Sequence, residues 1–183
     1  MGVGSGSHSE QTAKIMIEFE KICIDYDPEL VVVVGDVNST LGCTLVCAKM
    51  NIRTAHIEAG LRSGDMEMPE EVNRIVTDAL ANILLTPSVD ADKNLISEGR
   101  MEQDIYFVGN IMIDSLIKGL KRASKSKVLE EIGIQKGEYG VITLHRPSNV
   151  DDFETLEEII NAMEEIAKER RLVFPVHPRT KNN

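Results

Sequence analysis

The stretch ELVVVVGD, residues 29–36, decides the fold. Its four consecutive valines form a β-branched run of the kind buried on both faces of a parallel sheet. The polar cluster behind it, Asn38, Ser39 and Thr40, supplies caps for a helix over about 40–50, so strand and helix make one βα unit. Upstream, MGVGSGSHSEQT (1–12) is a Gly/Ser loop whose Ser7 or Ser9 can cap a long amphipathic helix carrying Ile15, Ile17, Phe19, Ile22 and Ile24. Asp27-Pro28 ends that helix, because the residue before a proline is pushed out of helical geometry. Downstream the pattern repeats: strand 52–57, a long loop, helix 70–82, strand 83–86, helix 89–99 and strand 104–108. Strands alternating with helices imply right-handed crossovers and an open parallel sheet, so the fold class is α/β. No internal repeat at a solenoid period is visible.

After Gly109 the pattern changes. A helix over about 111–122 runs into KRASKSK (121–127), a basic, Ser-containing stretch of linker composition, which sets an expected domain boundary near Ser124. Residues 1–124 then form most of one domain and 125–183 the first part of a second. The second holds a short helix, strand 139–144, helix 155–170 and strand 172–176. Two strands and about two helices in ~55 residues cannot cover both faces of a parallel sheet, so this unit is expected to be open where the sequence stops.

Composition narrows the function. The formal charge is −10, with Lys and Arg scattered, which argues against a nucleic-acid partner. A small phosphorylated ligand needs only a few donors and a helix N-terminus, and remains compatible. Three cysteines are an odd number, and Cys43 and Cys47 stand four apart on a helix, which reads as reduced core thiols rather than a metal or redox site. The longest apolar runs fall far below the ~20 residues of a membrane span, and no basic stretch precedes an apolar one at the N-terminus, so the expected location is the cytoplasm.

In open α/β sheets ligands bind outside the carboxyl ends of the strands. The residues at those ends are rich in ionisable groups: Asp36 in GDVNST, Glu58 in HIEAGLRSGD, His145 in LHRPSNVD and His177 in PVHPRT. Asp36 is either a ligand-facing acid or part of an Asx turn that caps the next helix. Glu58, closing a buried strand, costs several kcal/mol to desolvate unless it is paired or faces a cleft, and Arg62 is near enough in sequence to be its structural partner. In MPEEVNRIVTD (68–78), Pro69 suits a first helical turn where Glu70 and Glu71 complement the dipole, and Glu70 and Arg74 are spaced for an intrahelical ion pair. The unstructured loop 59–68, with Gly60, Gly64 and Asp65, has the length of a binding loop. His145 and Arg146, ahead of the capping candidates Asn149, Asp151 and Asp152, resemble an anion seat, or else His145 is satisfied by loop backbone. His177 and Arg179 repeat that arrangement more weakly. The leading GVGSG reads as a plain turn, since no strand precedes it in the sequence.

Taken together and in this order, VVVVGDVNSTL, AHIEAGLRSGDMEMPEEVNRIVTDAL, VGNIMIDSL, TLHRPSNVDD and PVHPRT resemble the UDP-N-acetylglucosamine 2-epimerase family of the non-hydrolysing type, over essentially the whole chain. The resemblance implies a glycosyltransferase-B-type architecture of two Rossmann-like halves with the sugar nucleotide in a cleft between them. It implies no metal or nicotinamide cofactor, and a homodimer. Carried over by position, the family's acid/base carboxylates fall on Asp36, Glu58 and Glu70, its helix arginine on Arg74, and its histidine near the diphosphate on His145. Arg62, Arg146, His177 and Arg179 are the further substrate-binding candidates. The family usually has a polar pair such as Glu-Asn where this chain reads Pro147-Ser148-Asn149. Its earlier βα unit and its later Ser-Gly-Gly type segment are not in this sequence, so the chain is expected to be a fragment without turnover of its own. The implied chemistry interconverts UDP-GlcNAc and UDP-ManNAc, for cell-surface polysaccharide synthesis, by eliminating UDP across C1 and C2 and re-adding it to a 2-acetamidoglucal. Delivering a proton to either face of C2 demands more than one acid/base group. Asp36 is the first choice for removing the C2 proton, with Glu58 or Glu70 as the partner acid. Two alternatives stay open: a hydrolysing epimerase releasing ManNAc and UDP, and a non-catalytic nucleotide-binding or dimerising module.

Overall fold

The computed structural model describes residues 1–4 and 6–181, apart from the side chains of Pro147 and Arg179. Its contacts divide into two units, Met1–Lys118 and Gly119–Asn183, and each is α/β with a parallel sheet.

In the first unit α1 (His8–Tyr26) precedes β1 (Leu30–Val34), α2 (Asn38–Met50), β2 (Arg53–Ile57), α3 (Pro69–Leu80), β3 (Ile83–Thr86), α4 (Val89–Ser97) and β4 (Ile105–Phe107). The four strands lie in the order β1-β2-β3-β4, all parallel, with Val34 opposite Ile57 and Ile57 opposite Leu85. Ser7 caps α1 by accepting from the Glu10 N–H at 3.2 Å, and Asp27, in the left-handed region with φ 46°, ends it. The core gathers into two clusters, Ile15, Val33 and Cys43 against Phe19 and Val31, and Ala59, Ala81, Leu84 and Leu95 against Ile105. Cys23, Cys43 and Cys47 are free and buried. Burial, with the neighbouring Cys47 and Cys23 thiols adding to it, pushes Cys43 up to about 11, so it stays a protonated apolar group at neutral pH.

Two expectations change. α2 starts at Asn38, and Val37 stands at its cap without a side-chain bond. Asn38 is used instead to tie α2 to α1, its Nδ2 donating to Gln11 Oε1 at 2.7 Å, while Thr40 Oγ1 reaches back to the Val34 carbonyl at 2.7 Å. β1 is not buried on both faces: Val33 is buried with Ile15 and Cys43, but Leu30, Val32 and Val34 on the other face are exposed. A β-branched run identifies a strand without saying how many of its faces are covered.

α5 (Ile111–Ala123) carries the chain from the first unit into the second and buries none of its residues. There α6 (Val128–Glu131), β5 (Tyr139–Val141), α7 (Pro147–Val150), α8 (Phe153–Ala167), β6 (Arg171–Val173) and α9 (Pro178–Lys181) follow. β5 and β6 are shorter than the apolar runs 139–144 and 172–176 from which strands were expected. The remaining residues leave the ladder, and Leu144 and Phe174 fold into a small core with Val150, Leu156, Ile159 and Met163. Asp152 caps α8, accepting from the Thr155 N–H at 2.9 Å and its hydroxyl at 2.8 Å. Among the described residues no helix is long and apolar enough to cross a membrane.

Candidate active site

The site in the first unit is built on two turns at the carboxyl ends of β1 and β2. β1 ends in Gly35, whose φ of 69° lies in the left-handed region that a glycine adopts without strain, and its N–H donates to the Ile57 carbonyl at 3.0 Å. Asp36 follows. β2 ends in Glu58, which also has a positive φ, 73°, and is not a glycine. Such a conformation costs of order 1–3 kcal/mol and persists only where the surroundings hold it. Here the Glu58 and Ala59 N–H groups both donate to the Leu85 carbonyl, at 3.1 and 3.2 Å. The resulting turn brings Glu58 Oε2 to 3.5 Å from where a Cβ on Gly35 would stand, next to Asp36 in sequence. Glu58 is half-buried, and its carboxylate makes no hydrogen bond among the described residues.

α3 crosses below these turns and presents them with its polar side. Arg74 NH1 donates to Asp36 Oδ2 at 2.5 Å, and its Nε and NH2 donate to Glu71 Oε2 at 3.0 and 2.6 Å. Asn73 Nδ2 donates to the Asp36 carbonyl at 2.7 Å. Asp36 is thus held by side chain and backbone alike, its side chain still 34% exposed. Glu71, 1% exposed, accepts from the Ser63 N–H at 3.0 and 3.1 Å and from the Gly64 N–H at 2.9 Å, which fixes the loop between β2 and α3. Burial pushes its carboxyl up, but the Ser63 and Gly64 N–H groups and the Arg74 guanidinium outweigh it and hold it down at about 2.

The expected Glu70–Arg74 pair is not formed. Arg74 turns to Glu71 and Asp36, because the buried Glu71, fixed by its amide neighbours, holds a guanidinium better than the more exposed Glu70 a turn away. Glu70, one turn ahead of Arg74, is half-buried and makes no hydrogen bond among the described residues. The expected Arg62–Glu58 pair is absent as well. Arg62 donates through Nε and NH2 to Glu98, the C-terminal cap of α4, at 2.7 and 2.6 Å, and through NH1 to Asp78 Oδ2 and the Leu61 carbonyl, both at 2.7 Å. Its guanidinium latches the loop to α3 and α4, and four of those donor contacts leave it little to offer a ligand.

Sequence reasoning missed a second buried cluster under the same turns. His56 on β2 is 0% exposed, with Nδ1 at 2.6 Å from Asp78 Oδ1 and Nε2 at 2.8 Å from the Gly35 carbonyl oxygen. Asp78 Oδ2 also accepts from the Gly60 N–H at 3.0 Å, and Asn94 Nδ2 donates to the Gly60 carbonyl at 2.9 Å. Gly60 (φ 79°) cannot be replaced, since a Cβ would stand 2.4 Å from the Ala91 carbonyl oxygen. The available signal was the spacing of Glu71, Arg74 and Asp78 at i, i+3 and i+7, three charges on one helix face.

In the second unit His145 and His177, each after a strand, have ring centroids 5.4 Å apart, with Thr143 Oγ1 at 3.4 Å from His145 Nδ1. Both rings and Arg146 are exposed. The side chain of Arg179 lies outside the described residues.

A family model described as UDP-N-acetylglucosamine 2-epimerase matches residues 1–183. A UDP-N-acetylglucosamine 2-epimerase homolog of Methanococcus maripaludis is 47% identical over 183 residues, covering 99% of this chain and 50% of the relative. The UDP-2,3-diacetamido-2,3-dideoxy-D-glucuronate 2-epimerase of Pseudomonas aeruginosa is 39% identical, covering 99% of this chain and 51% of its own length. The crystal structure of Methanocaldococcus jannaschii UDP-GlcNAc 2-epimerase in complex with UDP-GlcNAc and UDP is similar with a TM-score of 0.88 and 41% identity, over 99% of this chain and 51% of that one. The chain therefore spans about half the length of the relatives it matches.

Proposed function

The chain belongs to the UDP-N-acetylglucosamine 2-epimerase family, with the α/β, glycosyltransferase-B-type fold of its solved relatives, and from that premise we propose that it carries the acid/base residues of an enzyme interconverting UDP-GlcNAc and UDP-ManNAc. The observation that supports this most is the placing of two carboxylates of different character at neighbouring strand ends. Asp36 is held by Arg74 and Asn73, and Glu58, whose carboxylate makes no hydrogen bond among the described residues, stands beside Gly35 in a strained backbone. The C2 hydrogen of the sugar has no adjacent carbonyl to acidify it, so epimerisation goes by elimination of UDP across C1 and C2 and re-addition to 2-acetamidoglucal. Asp36 removes the C2 proton, and Glu58 or Glu70 delivers one to the other face. A positioned proton-transfer group contributes typically ~10²–10⁴-fold. Arg74 orients the Asp36 side chain through NH1. His145, Arg146, His177 and Arg179 are assigned to the departing diphosphate, whose charge needs cationic donors as it leaves. Residues 1–124 and 125–183 are read as parts of the two Rossmann-like domains of a cytoplasmic, homodimeric enzyme.

The test is a chimera in which residues 1–183 replace the matching segment of the Methanocaldococcus jannaschii relative. NMR of the products is expected to show UDP-GlcNAc and UDP-ManNAc reaching equilibrium. Free ManNAc accumulating with UDP would replace the reversible reading with the hydrolysing one. A folded chimera that converts neither sugar nucleotide would contradict both.

A further inference from the structure

We propose that His56 and Asp78 form a buried hydrogen-bonded brace that sets the separation of Asp36 and Glu58, with His56 a positioning residue. The role rests on the epimerase reading above; the geometry stands apart from it.

His56 Nε2 lies 2.8 Å from the Gly35 carbonyl oxygen, which can only accept, so Nε2 carries the hydrogen of that bond. His56 Nδ1 lies 2.6 Å from Asp78 Oδ1. Asp78 Oδ2 accepts from the Gly60 N–H at 3.0 Å and from Arg62 NH1 at 2.7 Å. The ring and Asp78 are 0% and 1% exposed, so no solvent supplies either hydrogen bond in their stead.

The brace has a direction. Read along its bonds it runs from the Gly35 carbonyl through His56 and Asp78 to the Gly60 N–H. Gly35 immediately precedes Asp36, and Gly60 follows Glu58 by two residues. Each glycine is also pinned on its other polar group, Gly35 by its N–H on the Ile57 carbonyl and Gly60 by its carbonyl under Asn94 Nδ2. Both have positive φ, 69° and 79°, so neither turn can relax toward ordinary backbone without breaking these bonds. One buried contact between side chains therefore joins the two turns that carry the proposed acid/base groups. The charged groups facing it are Arg62 on the β2–α3 loop, itself bound to Glu98 at the C-terminal cap of α4, and Glu58, whose carboxylate lies over Gly35. The function is geometric: misplacing a reacting group by about 1 Å can cost on the order of 10²-fold in rate.

Two measurements test this. In the 183-residue chain labelled with nitrogen-15, Asp78→Asn and His56→Gln should each shift the backbone amides of Asp36 and Glu58 while the chain stays folded. Unmoved Asp36 and Glu58 amides in a folded Asp78→Asn chain would overturn the brace. In the chimera, Asp78→Asn and His56→Gln should each lower kcat on the order of 10²-fold with KM nearly unchanged, and the double variant should be no worse than either. Unchanged kcat in a folded Asp78→Asn chimera would overturn the positioning role. A parent chimera without turnover would sink the epimerase reading instead, and the amide spectra would still decide the brace.

Discussion

Glu71 is the residue on which the loop between β2 and α3 depends, and its chemistry fixes a pH dependence. Its carboxyl is held at about 2, below the ordinary 4.5, so the stabilisation is complete above the ordinary range and disappears as pH falls from about 5 through about 2. At about 1.4 kcal/mol per unit the contribution is on the order of 3 kcal/mol. Glu71→Gln should therefore lower the denaturation midpoint at pH 7 and flatten the acid limb of stability against pH; an acid limb as steep as the wild type's would contradict the assignment. Gly60 allows a harder test, since Gly60→Ala forces a Cβ to 2.4 Å from the Ala91 carbonyl oxygen at φ 79°. Its cost should exceed the roughly 1–3 kcal/mol of ordinary overpacking. Thermal melts of Gly60→Ala and Gly64→Ala separate steric from conformational cost, because nothing stands within 4 Å of a Cβ on Gly64. Gly60→Ala should be the worse of the two.

At the scale of elements, α3 organises the site. Four of its residues, Glu71, Asn73, Arg74 and Asp78, bind the turns after β1 and β2 or the loop between β2 and α3. Asn73→Ala should free the Asp36 carbonyl and leave the buried Arg74–Glu71 pair intact, costing about 1–3 kcal/mol of stability by chemical denaturation. Elements were the legible part of the sequence. ELVVVVGD announces a strand, Ser7 and Asp27-Pro28 bound α1, and Pro69 opens α3, because β-branching, capping and proline act locally. Pairing was less legible. Arg62 passes over the nearby Glu58 for Asp78 and Glu98, and Arg74 passes over Glu70 for Glu71 and the distant Asp36, partners that only the packing of the chain makes neighbours. The bare face of β1 was hidden for the same reason, since four valines in a row read alike whether one face or two are covered.

For the molecule as a whole, function is proposed to need more chain than these 183 residues, which span about half of each relative. The chain alone is expected to give no measurable conversion of UDP-GlcNAc, whereas the chimera should convert it; steady turnover by the isolated chain would contradict this. The central claim is that Asp36 takes the C2 proton of a UDP-linked sugar. It is tested most directly by running the chimera in deuterium oxide and reading C2 of the recovered sugar nucleotides. Solvent deuterium should enter C2 of both epimers, and Asp36→Asn should slow its entry by about 10²–10⁴-fold. Epimerisation that retains the original hydrogen at C2, or exchange at an undiminished rate in Asp36→Asn, would contradict the account.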